Sequence, residues 1–277
     1  AVSQNQVELI RSAVVSNTAS GAAGIGVSAD SVVTLTHSVV LYNTSVDGSG
    51  GGVLVYGEGT LTLDSSTVAN NATLNSEGGG VNVLPGGAAI IRNSTISGNS
   101  AAGYAGGINA RGLVTMTHST IVDNVTDSDD DGSGDGGGIS RYDGQIWIAH
   151  TLIANNVDRG GEYPDCFNRN NSSLFASQGY NLAEVPCFTS AAGDITGQDP
   201  RLGPLQDNGG PAMAEGWALL THALGAGSPA RDVGNLTFAP PPAYDQRGSG
   251  FPRAVGRVDI GAFEAWAATA LPLILRQ

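Results

Sequence analysis

STVANN (66–71), STISGN (94–99) and STIVDN (119–124) are one motif written three times. A Ser opens it, an apolar residue follows two places on, and Asn closes it. Working outward, the same pattern recurs as SVVLYN (38–43) and SAVVSN (12–17) upstream and as TLIANN (151–156) downstream. The closing residues Asn17, Asn43, Asn71, Asn99, Asn124 and Asn156 are 26, 28, 28, 25 and 32 positions apart. Self-similarity at a period of 20–50 residues marks a solenoid.

Other columns keep the same phase. Leu9, Leu35, Leu63, Ile91, Met116 and Ile148 stand three places before the Ser or Thr. Val7, Val33, Leu61, Ala89, Val114 and Ile146 stand two places earlier still. Thr residues alternate with them, so this stretch has the period-2 pattern of a strand with one face inside. A Gly then precedes a further apolar pair, as in Gly52-Val53, Gly80-Val81 and Gly107-Ile108, where its small size suits a sharp bend or a close backbone approach. About three short strands per coil at this period describe an all-β, right-handed parallel β-helix of about six coils. Each coil is too short to bury its own core, and stacking buries one continuous core. Leucine-rich repeats lack support because no LxxLxL pattern occurs, and helical repeats because no helical periodicity occurs.

The bulk numbers exclude some functions. The formal net charge is −13, with every basic residue an Arg and no Lys. Phosphate binding needs clustered cations, so nucleic acid is not an expected partner. No apolar run reaches the length of a membrane span. The first residue is Ala, which reads as a processed chain or a fragment. Cys166 and Cys187 follow the repeats, and a Cys pair in an acidic, Gly-rich repeat protein suggests a disulfide and a secreted setting. The expected organisation is a β-helix over 1–160, an irregular disulfide-containing capping module over 161–264, and an apolar tail over 265–277.

The motifs SQGYNL (177–182), DPRLGPLQDNGGP (199–211), THAL (221–224), GSPARDVGN (227–235), DQRG (245–248) and VDIGAFE (258–264) resemble the C-terminal module of bacterial choice-of-anchor, right-handed β-helix repeat proteins. The resemblance covers roughly residues 60–264. It implies export to the bacterial cell surface and a β-helix, and it implies no particular reaction. The module is expected to end the solenoid by covering its open face. Asp199, Asp207, Asn208, Asp232, Asp245 and Asp259 are read as turn-making and backbone-capping groups.

Four sets of residues could carry function. The Asn column reads as an asparagine ladder, with stacked amides bonding coil to coil at about 4.8 Å. Asp127, Asp129, Asp131 and Asp135 match positions 1, 3, 5 and 9 of an EF-hand-type loop, with Gly132 at position 6 and no Glu at position 12. That loop reads either as a Ca²⁺ site or as a solvated acidic turn. His37, His118 and His150 share one column, with His118 and His150 in neighbouring coils; two His alone make a thin metal site. The first coil presents Val7, Leu9, Val14, Ile25 and Val27, and the tail presents Leu271, Leu273 and Leu275 on one side of an extended segment. These could meet in a head-to-tail homopolymer, strand edge to strand edge.

A lyase needs a cation or a Lys/Arg group near a base, and a glycosidase needs two facing carboxylates. Neither pattern stands out, so the reading is a non-catalytic structural or cell-surface protein, self-associating into a filament. The alternatives are an adhesin binding cell-surface glycans and, after it, a polysaccharide lyase or hydrolase. An adhesin needs aromatic platforms; Tyr56, Tyr104, Tyr142 and Trp147 are the candidates, spread over several coils.

Overall fold

The computed structural model describes residues 5–237, 241–253 and 257–266, so Leu271, Leu273 and Leu275 lie outside the described residues. The chain winds into a right-handed parallel β-helix with four sheets along its length. Sheet A holds seven strands, from Asn5–Ile10 to Phe175–Ser177. Sheet B begins at Ala13–Val15 and ends at Ile195–Thr196, sheet C runs from Thr18–Ala19 to Val157–Asp158, and sheet D from Ile25–Val27 to Cys166–Asn168. Each of the first six coils therefore has four strands rather than three. The extra one is the two-residue strand after the ladder Asn, such as Thr44–Ser45, too short to leave a periodic signature.

Register confirms the columns. Val7 pairs with Val33 and Leu9 with Leu35, and Ile108 pairs with Ile139. One continuous core runs down the axis, from Val27 and Val33 to Phe175 and Phe188. The Gly column is a matter of clearance. A Cβ on Gly80 would lie 2.6 Å from the carbonyl oxygen of Gly107 and 3.0 Å from Asn99 Nδ2, so any side chain there would push adjacent coils apart. Two bends per coil use left-handed backbone. Arg11, His37, Ser65, Asn93, His118 and His150 all have φ between 46° and 52°. His, Asn and Ser tolerate that region better than bulky residues, which accounts for the polar column.

The solenoid continues beyond residue 160. Cys166–Asn168 pairs with Ile139–Arg141, and Leu182–Ala183 pairs with both Leu152–Ala154 and Ile195–Thr196. The far end is closed by the segment through Cys187 and Phe188. Phe188 packs against Phe175 with ring centroids 5.6 Å apart, and the Cys166–Cys187 disulfide ties the closing segment to sheet D.

SQGYNL (177–182) belongs to this last turn, but the motifs from DPRLGPLQDNGGP (199–211) onward do not sit on that end. They form a strap along the outer face of sheet B. An antiparallel hairpin, Leu202–Ala212 with Ala218–Leu224, starts it. Met213, Trp217, Leu219 and Leu220 pack on Ala13, Val15, Val39, Leu41 and Ala69, the outward residues of the first three coils. Leu224, Ala230 and Ile260 pack on Val122, Leu152, Ala154 and Leu182 of the last three. Between them Gln246 Oε1 accepts from Thr95 Oγ1 at 2.5 Å and its amide donates to Ser66 O at 3.0 Å. Sheet B is thus buried on both faces, as its fully buried triplets show. The expected disulfide-containing cap is the segment through Cys187 and Phe188; the rest of the module instead covers sheet B, whose outward residues Val39, Leu41, Val122 and Leu152 are apolar and need a cover of their own.

The DQRG and DIGAFE motifs knot the strap together. Asp245 Oδ1 accepts from the Arg247 backbone N–H and guanidinium, and its Oδ2 from the Glu264 N–H. Asp259 accepts from the N–H groups of Asp232 and Ala265. Arg253, fully buried, donates to the carbonyls of Gly261 and Ala262 and to Asn93 Oδ1 on the solenoid. Burial, and then the nearby Asp259 carboxylate, push Glu264 up to about 9. It is held protonated at neutral pH, 3.7 Å from the Arg253 guanidinium.

Candidate functional site

The Asn ladder is complete. The backbone N–H and Nδ2 of each Asn both donate to Oδ1 of the Asn one coil on; for Asn71 to Asn99 the distances are 3.0 and 2.9 Å. The second Nδ2 hydrogen goes to a carbonyl of the preceding coil, as Asn99 does to Val68 O at 3.0 Å. Every amide points the same way, so the last one needs an acceptor. Asp165 supplies it: Asn156 Nδ2 donates to Asp165 Oδ1 at 3.0 Å, and Val185 N–H donates to Oδ2 at 2.8 Å. Burial pushes Asp165 up to about 6, with these hydrogen bonds opposing the shift. A second ladder runs through the opening Ser residues. Ser38 N–H donates to Ser66 Oγ and Ser66 N–H to Ser94 Oγ, each at 3.0 Å, and Asn181 at the far end donates to Asp194. These columns are inside and structural.

His118 and His150 are stacked at 4.6 Å with planes 5° apart, and Tyr180 continues the stack at 5.3 Å. Burial, followed by the positive charge of Arg253, holds His118 down at about 2 and His150 at about 4. His150 Nε2 accepts from the Asn235 N–H at 3.0 Å, so the neutral ring anchors the strap. His37 stands apart, beside Gly248 in a cleft of about 610 Å³ at the seam between strap and first coils. Ser97 Oγ lies 2.9 Å from His222 Nε2, whose Nδ1 is 2.8 Å from Gly203 O. That resembles a nucleophile and base, but both side chains are buried where the hairpin, which carries His222, covers Ser97 on sheet B. It fastens the strap.

An aromatic surface lies outside sheet D in the last coils. Arg111, Tyr142 and Arg169 each follow a sheet D strand by one residue and so stack one above the other. The Arg169 guanidinium lies 4.0 Å from the Tyr142 ring centroid and that of Arg111 lies 5.4 Å from it. Tyr104, from the loop preceding Ile108–Ala110, meets Tyr142 edge-on at 5.4 Å and Phe167 at 6.1 Å. Tyr163 meets Phe167 at 5.0 Å. The sequence places these four rings in three coils; winding brings them together. Asp143 lies 3.3 Å from Arg169 and 3.8 Å from Arg111, and Glu77 lies 3.3 Å from Arg111. Burial, then the neighbouring Asp135, raise the Tyr104 phenol, which stays protonated and able to donate. Beneath lie Asn109 Oδ1 and Ser140 Oγ, buried without a protein partner on the outward column of the sheet.

The other expected residues fall elsewhere. Tyr56 is exposed three coils from Tyr142, and Trp147 faces outward on sheet A. Asp127, Asp129 and Asp131 converge, with ligand oxygens all within 4.8 Å of one another. Asp135 is not among them. Its backbone is pinned by the Ala105 N–H at 3.2 Å, and its carboxylate acts on Tyr104 instead. Of the first-coil residues, Val7 is 49 % exposed and Leu9, Val14 and Ile25 are half-buried, but Val27 is fully buried within the core and presents nothing to a partner.

Four parallel sheets wound about one core, with inward amide ladders, define a parallel β-helix protein. The family described as right handed beta helix region matches residues 2–178, and the chain belongs to it. No curated protein and no solved structure matches the chain.

Proposed function

We propose that this β-helix protein is a non-catalytic, exported glycan binder, and that the aromatic face outside sheet D is its binding surface. The observation that carries this reading is the gathering of Tyr104, Tyr142, Tyr163 and Phe167 into one group flanked by Arg111 and Arg169. Aromatic rings offer an apolar body with a polar rim, suited to a sugar ring and its hydroxyls. The two guanidiniums face Glu77 and Asp143 and stand near Asp135, so the surface has no surplus positive charge. With a chain charge of −13, that favours a neutral glycan over an acidic one. Export is supported by the disulfide. Among the described residues no helix is long and apolar enough to cross a membrane. Head-to-tail association has less support, since Val27 is already buried and the far end is closed over Phe188.

Affinity electrophoresis through gels containing neutral or acidic polysaccharides tests the reading. The expected result is retardation by a neutral glycan, weakened about tenfold in Tyr142→Ala, since one ring contributes on the order of 1–1.5 kcal/mol. Equal retardation of the variant, or none of either protein on any glycan, would reject it. Release of reducing or unsaturated ends would reject the non-catalytic part.

A further inference from the structure

The loop TDSDDDGSGDGGG (126–138) is what lengthens one repeat spacing to 32, and the glycan reading makes no use of its first half. The carboxylates of Asp127, Asp129 and Asp131 each place an oxygen within 4.8 Å of the others. A Ca²⁺ ion takes oxygens at 2.3–2.6 Å, so ligands on opposite sides of one ion stand about 5 Å apart. Mg²⁺, at 2.0–2.1 Å, demands a tighter octahedron.

Convergence of acids on a surface is common and decides nothing. The deciding observation is Asp127 itself. Asp129 and Asp131 are exposed, but Asp127 is 1 % exposed. Its two oxygens are used differently. Oδ1 accepts from the backbone N–H of Asp131 at 3.0 Å and of Gly132 at 3.2 Å, which folds the loop back over it. Oδ2 is buried with no hydrogen-bond partner. A carboxylate oxygen enclosed without a donor carries a cost of desolvation that a bound cation would remove. The surroundings offer it little relief. Asp158, also buried, lies on the far side of Gly160, where a methyl group would sit 3.2 Å from Asp158 Oδ1 and 3.8 Å from Asp127 Oδ2. Arg159, the cation of this neighbourhood, donates to Ser128 O.

We propose that this loop is a Ca²⁺ site, with Asp127 Oδ2 as the enclosed ligand and Asp129 and Asp131 closing over the ion from the solvent side. Without a Glu at position 12 the site lacks its strongest oxygen pair. The affinity expected is that of weak extracellular modules, about 0.1–1 mM. The geometry stands independently of any glycan.

The test uses the full chain after exhaustive chelation. Titration calorimetry with CaCl₂ should give saturable heat at a stoichiometry of one, and about 10 mM Ca²⁺ should raise Tm by about 3 °C. Asp129 and Asp131 are exposed, so D129N/D131N keeps the fold and isolates the site. Its apo Tm should equal or exceed that of the parent, and its calcium heat and Tm shift should vanish. MgCl₂ at the same concentration should give at most a small fraction of the effect. Absence of heat and Tm shift in the parent, or an equal calcium response in D129N/D131N, would overturn the proposal.

Discussion

At the scale of the residue, the Asn ladder shows how one amide serves three coils. Asn99 accepts two hydrogen bonds from Asn71, donates two to Asn124 and one to Val68 O. Replacing it with Ala orphans buried groups on both sides. Asn99→Ala should destabilise by at least about 3 kcal/mol, read from denaturant unfolding, because each buried unsatisfied group costs about 1–3 kcal/mol. A loss under 1 kcal/mol would mean that water replaces the amide. The ladder was legible because Asn recurs at fixed phase. Its terminator was not: Asp165 stands 9 residues beyond Asn156, and nothing local marks a lone Asp as the acceptor that completes a column. The same holds for His222, which appears once and acquires meaning only against Ser97.

At the scale of the element, strands that face the core read cleanly, as the match of Val33 to Leu61 and Leu35 to Leu63 shows. Two-residue strands such as Ala72–Thr73 did not, because two residues carry no period. The outer face of sheet B was legible in principle. VVL, TVA and LIA are apolar or small at both outward positions, which a solvent-facing strand would not be. Recognising that would have put the strap on the flank. The aromatic face could not be read in the same way, since Tyr104, Tyr142 and Tyr163 lie in loops whose lengths differ from coil to coil. The closing segment makes its own prediction. Cys166–Cys187 pins it across 21 residues, so reduction should cost about 3 kcal/mol in the chain-entropy model. C166A/C187A should lower Tm, and the loss of protection in hydrogen exchange should concentrate at 175–196. A uniform loss along the solenoid would contradict a local clasp.

At the scale of the whole molecule, buried titrating groups set a pH window. His150 and His118 lie below the ordinary value of 6.5, at about 4 and about 2. The unfolded chain therefore binds protons first, and stability present above 6.5 is lost as pH falls toward those values. Glu264 goes the other way. Its folded value of about 9 exceeds the ordinary 4.5, so its contribution is complete below 4.5 and is lost as pH rises through 9. Thermal melts from pH 4 to 9 should show a maximum between these limits. E264Q should melt higher than the parent at pH 9 and much like it at pH 5. An unchanged alkaline limb in E264Q would place the alkaline loss in another group.

The strap touches Ala13 and Val15 in the first coil and Leu182 in the seventh. It therefore works as a ruler. A solenoid can gain or lose a unit of 25 to 28 residues without disturbing its neighbours' internal contacts. Here each such change would slide one end of the strap by a strand spacing of about 4.8 Å, out of step with Thr95 and Ser97 at its middle. The number of coils between its two anchor points is fixed by a part of the chain that contributes no coil, and this protein can vary in length only by lengthening its gauge as well.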